Sequence, residues 1–148
     1  MSRNEDGPLI LVVEDDPIVR GFIVRTLKRA SYRCLVAGSA EEALQVSSQV
    51  EEPIDLLILD IMLPDSWGTR LVQDIQAQHP YARVILASGH TADDPVLAAG
   101  VQARNPEIPF LNKPFTPDEL VETVVSLLEK GADSKREPDP GADRSEDS

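Results

Sequence analysis

The chain alternates short, almost unbroken apolar runs with stretches whose apolar residues recur every three or four positions. LILVV (9–13), IDLLIL (54–59) and RVILAS (83–88) have strand length and are rich in branched residues. Runs of this kind predict strands covered on both faces, as in a parallel sheet between two helix layers. YRCLVAG (32–38) and IPFLN (108–112) carry the same signal more weakly. Pro109 has no N–H to give a ladder, so the last strand is expected at a sheet edge or with Pro109 at its start.

The intervening segments carry helix start signals. Asp16 followed by Pro17 is an N-cap and a first-position proline, opening a helix through Arg29. Along it Ile18, Phe22, Ile23, Leu27 and Ala30 recur at helical spacing. Ser39 with Glu42 predicts a capping box before a second helix, and Thr116, Pro117 and Glu119 repeat the device before LVETVVSLLEK. Gly131 is the expected stop of that last helix. A helix over about Gly68 to Gln78 is expected to turn Leu71, Val72 and Ile75 inward. Pro95, Gly100 and Pro106 interrupt residues 90–107, where a short or poorly ordered helix is expected. Strand and helix thus alternate five times, which predicts an open α/β fold with helices on both faces of a parallel sheet.

Composition narrows the setting. The 148 residues suit one domain, with 41% hydrophobic and 27% charged residues. No apolar run reaches the roughly 20 residues of a membrane span, and MSRNEDGP lacks a signal-peptide core. Cys34 is the only cysteine, so no internal disulfide forms and the cytoplasm is the expected compartment. Acidic residues outnumber basic ones by 26 to 14, a formal charge of −12, which argues against a nucleic-acid-binding surface. Residues 1–7 are read as a flexible start and 8–130 as the folded unit. The stretch 131–148, ADSKREPDPGADRSEDS after its glycine, is read as a disordered acidic tail.

In a parallel α/β sheet the carboxyl ends of the strands share one edge, where ligands bind. The first strand ends in Glu14-Asp15, the third in Asp60, the fourth in Ser88, and the fifth leads into Lys113-Pro114. Each residue alone reads as a cap or a solvated loop residue. Together they put three carboxylates, a hydroxyl and an ammonium on one rim. An all-oxygen cluster suits a hard cation such as Mg²⁺, which would screen an incoming phosphoryl group. Asp60 could then serve as a carboxylate nucleophile towards phosphorus, with Ser88 and Lys113 contacting the phosphoryl oxygens. Asp16 stands apart as a helix cap. His79 and His90 lack a second ligand at metal spacing.

VVEDD, ILDIMLP with Gly68 eight residues after Asp60, VILASG and FLNKPF, in this order, resemble the response-regulator receiver domain (CheY-like) over about residues 8 to 130. The resemblance implies a doubly wound, flavodoxin-like fold with five parallel strands in the order 2-1-3-4-5. It implies that Asp60 accepts a phosphoryl group from a phosphohistidine of a histidine kinase or phosphotransfer protein. Asp15 would bind Mg²⁺ (or Mn²⁺) directly and Glu14 through water, with the Met62 carbonyl completing the protein ligands. Ser88 would be the switch hydroxyl, Lys113 the phosphoryl-contacting lysine, and the Lys113–Pro114 bond cis. Phe110 takes the place of the family's switching aromatic, often Tyr; a core aromatic of an edge strand is the other reading. Gly89 replaces the commoner Ala, and Trp67 stands where an acid or amide usually precedes Gly68, as a docking residue or an exposed loop residue. The broken segment 90–107 is more similar to receivers of hybrid histidine kinases than to those of DNA-binding regulators.

The expected role is a stand-alone response regulator without an output domain, not an enzyme beyond its own phosphorylation and dephosphorylation. A downstream protein or a second copy would be contacted through the last strand and helix, where Val121, Val125 and Leu128 are candidate contact residues. An unphosphorylated pseudo-receiver remains the alternative. A haloacid-dehalogenase-type phosphatase needs a second Asp where Met62 stands, and a flavin-binding flavodoxin would not place Glu14-Asp15-Asp16 beside a phosphate.

Overall fold

The structure, a computed structural model, describes residues 7–61, 68–88 and 108–136. Expectations about Met62, Trp67, Gly89, His90, the segment 90–107 and residues 137–148 lie outside the described residues. Five strands form one parallel sheet: β1 (Leu9–Val13), β2 (Arg33–Ala37), β3 (Leu56–Asp60), β4 (Arg83–Ser88) and β5 (Phe110–Asn112), in the order β2-β1-β3-β4-β5. The described helices are α1 (Pro17–Arg29), α2 (Ala40–Gln49), α3 (Gly68–Gln78) and α4 (Pro117–Arg136).

Alternation along each strand divides the core in two. Leu9, Leu11, Val13, Leu57, Leu59, Val84 and Leu86 face one layer with Leu71, Val72 and Ile75 of α3 and Ala43 of α2. Ile10, Val12, Leu56, Ile58, Ile85, Ala87 and Leu111 face the other, with Ile23 and Leu27 of α1 and Leu120 and Val124 of α4. Both faces are buried, which is why these strands read as continuous apolar runs. β5 is the edge strand, and Pro109 precedes it, its carbonyl accepting from the Leu86 N–H at 3.0 Å.

The caps form as the residue types demand. The Asp16 carboxylate accepts from the Ile18 N–H at 2.9 Å. Thr116 and Glu119 make a reciprocal box, at 3.1 and 2.8 Å. At α2 the Ser39 hydroxyl accepts from the Glu42 N–H at 3.1 Å, and Glu42 reaches back one residue further, to the Gly38 N–H at 2.7 Å. The carboxyl end of α1 closes with paired bonds from the Ser31 and Tyr32 N–H groups to the carbonyls of Lys28 and Leu27, both 3.0 Å. Ser31 takes the left-handed position there, with φ of 72°.

One expectation is corrected. The last helix does not stop at Gly131 but runs to Arg136. Glycine costs a helix about 1 kcal/mol but does not forbid it. Ile18 keeps its helical spacing but is 81% exposed.

The end of the sheet away from the site is fastened by buried polar groups. The Asp55 carboxylate accepts from the Leu9 N–H at 2.8 Å, continuing the bond from the Asp55 N–H to the Leu9 carbonyl at 2.9 Å. His79 is buried rather than a metal ligand: Nδ1 accepts from the Ile54 N–H at 3.2 Å, so Nε2 carries the proton and donates to the Ser47 carbonyl at 2.8 Å. Replacing the ring by Phe keeps the bulk but leaves the Ile54 N–H without its acceptor. His79→Phe should therefore lower unfolding free energy in urea by about 1–3 kcal/mol while leaving divalent-cation affinity unchanged.

Candidate functional site

Strand register assembles the site. β1 and β3 pair with Val13 opposite Leu59, so one further step sets Glu14 beside Asp60. Glu14 lies two residues after Val12, Asp60 two after Ile58 and Lys113 two after Leu111, and those three apolar residues all face the α1–α4 layer. The period of two therefore aims all three charged side chains to the same side of the sheet edge. Asp15, one residue out of phase with Glu14, is exposed.

Glu14 is 2% and Asp60 4% exposed. The Lys113 ammonium lies between them, 2.6 Å from Glu14 Oε1 and 2.9 Å from Asp60 Oδ2. Glu14 is held at three further atoms. Oε2 accepts from the Asp16 N–H at 3.1 Å, its carbonyl accepts from Arg20 Nη1 at 2.7 Å, and its N–H donates to the Ala37 carbonyl at 3.0 Å. Carboxylate oxygens of Glu14, Asp15 and Asp60 all lie within 4.8 Å of one another. A cation holding its oxygens at about 2.0–2.1 Å needs donors at this spacing, and an all-oxygen set suits a hard divalent ion.

The two bridged groups are perturbed in instructive ways. Burial pushes the Glu14 carboxyl above its ordinary value, against the pull of Lys113 and the Asp16 N–H. Burial works to lower the Lys113 ammonium, but its bonds to Glu14 and Asp60 outweigh that and hold it above the ordinary lysine value. Its carboxylate partners thus favour the charged form of Lys113 despite its burial.

Lys113 is itself positioned by apolar packing. Phe115, two residues on, is buried and meets Phe22 of α1 with ring centroids 5.9 Å apart. The Lys113–Pro114 bond is cis, as expected. Ser88 ends β4 opposite Asn112 of β5. Phe110 is half-buried against the α2–α3 layer, opposite Leu86. Arg20 and Phe115 were not singled out in the sequence, because each acts through a contact that no local spacing encodes.

The family model for the response regulator receiver domain matches residues 10–125. The chain belongs to this family. Over 121 residues it is 32% identical to the sensor kinase CckA of Brucella abortus, covering 82% of this chain and 12% of the kinase. It is 31% identical to the response regulator GtcR of Aneurinibacillus migulanus, covering 82% of this chain and 48% of that regulator. The chain thus spans about half the length, or less, of the curated relatives named here.

A CheY-like receiver from Methanospirillum hungatei superposes with a TM-score of 0.74 at 26% identity, covering 86% of this chain and 98% of that one. The receiver of the hybrid histidine kinase CckA gives 0.67 at 31% identity, covering 81% and 98%. The strand order 2-1-3-4-5 and the doubly wound fold agree with these neighbours. The likeness to hybrid-kinase receivers holds, beside a comparable likeness to response regulators. The phosphatase and flavin-protein alternatives fall with the family assignment. Among the described residues no helix is long and apolar enough to cross a membrane.

The raised Glu14 value has a definite sign in this receiver. Between the unfolded and folded values the native state binds the extra proton, so stability falls as pH rises through that window. In the absence of divalent cations, Glu14→Gln should gain on the wild type in urea denaturation as pH rises above the ordinary glutamate value of about 4.3. A constant difference above that value would mean that the Glu14 proton is not coupled to folding.

Proposed function

We propose that the protein works as a response regulator whose Asp60 takes a phosphoryl group from a phosphohistidine of a histidine kinase or phosphotransfer protein. The observation that carries this reading is the buried Asp60 carboxylate, bridged to Glu14 by the Lys113 ammonium and clustered with Asp15 at the carboxyl edge of the sheet. An Asp60 oxygen forms the new bond to phosphorus as the phosphorus–nitrogen bond of the donor breaks and the imidazole leaves. Lys113, already within reach of Asp60, stays with the added negative charge. Ser88 contributes its hydroxyl to the phosphoryl oxygens.

Asp15 and Asp60 would hold Mg²⁺, or Mn²⁺ in its place, with the Met62 carbonyl. Glu14 acts through water, which agrees with both of its oxygens being engaged by Lys113 and the Asp16 N–H. The cation supplies charge neutralisation between the carboxylates and the incoming phosphoryl group.

Phosphorylation then draws Ser88 towards the phosphoryl group and Phe110 inward behind it, changing contacts on the face of β5 and α4. That face carries Val125, which is 37% exposed, with Val121 and Leu128 half-buried beside it. In this reading the unit serves as a shuttle or adaptor towards a downstream protein or a second copy.

Incubation with acetyl phosphate and Mg²⁺, followed by intact mass measurement, should give a single phosphoryl adduct that is absent from Asp60→Asn. No adduct on the wild type would favour an unphosphorylated interaction module instead. The acid triplet provides an independent check by Mg²⁺ titration calorimetry. Asp15→Asn should abolish binding, whereas Asp16→Asn should leave it nearly intact, since Asn is an equally good helix cap. Equal losses would place the metal-site register one residue off.

A further inference from the structure

Arg20 donates from Nη1 to the Glu14 carbonyl at 2.7 Å, six residues back along the chain. That oxygen lies just beyond β1, where the chain leaves its strand for α1. The same carbonyl belongs to the peptide group that joins Glu14 to Asp15. Because that group is planar, holding its oxygen also sets the plane from which the Asp15 side chain departs. The remaining ties on Glu14 act elsewhere: Lys113 and the Asp16 N–H on its carboxylate, the Ala37 carbonyl on its N–H.

Arg20 is anchored for this contact. It is half-buried on the first turns of α1, and its own N–H donates to the Asp16 carbonyl at 2.9 Å. Gly38 leaves the space the guanidinium occupies, since a Cβ there would stand 3.2 Å from Arg20 Nη1. The Gly38 backbone is tied in turn, its N–H donating to Glu42 Oε1 at 2.7 Å.

We infer that Arg20 is a positioning residue for the metal site, fixing the Glu14–Asp15 peptide so that the exposed Asp15 carboxylate is aimed at the cation. The inference rests on the proposed role of Asp15, and it has a signature opposite to simple electrostatics. A guanidinium near a cation site repels the ion, so deleting its charge alone would tighten binding. Loss of a positioning contact would weaken it instead. Partners that orient metal ligands are typically worth about 10- to 100-fold in affinity.

The experiment is Mg²⁺ titration calorimetry on the full chain, with urea denaturation run in parallel on every variant. Arg20→Met should weaken Mg²⁺ binding by about ten-fold, and Arg20→Lys, which keeps a donor of similar reach, should recover part of that loss. Gly38→Ala, which retains Arg20 but crowds its guanidinium, should weaken binding in the same direction and serves in place of Arg20→Met if that variant does not fold. Mg²⁺ affinity within two-fold of wild type, or tighter, in the folded variants would overturn the inference, whatever happens to stability. Failure of the underlying reading looks different: the wild type would then bind no Mg²⁺, or Asp15→Asn would bind it as well as wild type.

Discussion

Two carboxylates set one strand spacing apart, on the same face and shut away from water, need a cation between them, and the β1–β3 register makes Glu14 and Asp60 such a pair. At an effective dielectric of about 20, two like charges about 4 Å apart repel by about 4 kcal/mol. That is a large part of the roughly 5–15 kcal/mol by which a domain is stable. Lys113 bridges both acids in this structure. What holds Lys113 in place therefore matters to stability and to chemistry alike: Leu111 in the core before it, and Phe115 packed at a tilt against Phe22 after it.

The cost of this cluster is confined to one edge of the sheet. At the opposite end the polar groups are bonded locally. Asp55 accepts from Leu9, both ring nitrogens of His79 are in use, and Arg33 makes paired bonds to Glu52 at 2.9 and 2.6 Å and to the Gly7 carbonyl at 3.1 Å. The fold therefore separates a fastened end from a charged one. The thiol of Cys34 belongs to neither: burial pushes it up to about 11, which makes it a poor nucleophile.

The strands and caps were legible in the chain because each rests on a local rule. Continuous branched runs mark strands buried on both faces, and Asp16-Pro17, Ser39 and Thr116 satisfy helix N–H groups within three residues. The acids and Lys113 were legible for the same reason, each standing two residues beyond a core residue of its strand. The exceptions are non-local or weakly determined. Ile18 has helical spacing but is exposed, because spacing alone does not say which turn of a helix meets the sheet. Gly131 marks a preference worth only about 1 kcal/mol, and the helix runs on through it. Arg20, Asp55, Phe115 and His79 take their roles from partners that only the folded chain brings near.

The three consecutive acids show how far one residue of phase can separate like side chains. At Val13 the backbone still alternates with period two, so Glu14 continues the α1–α4 side of β1 and meets Lys113. At Asp16 the chain has turned into α1, and the carboxylate is used on the Ile18 N–H. Asp15 lies between the two regimes, past the end of β1 and before the cap, and is exposed beside the other two carboxylates of the site. The transition from strand to helix within EDD thus sets which acid is bridged, which faces solvent and which caps.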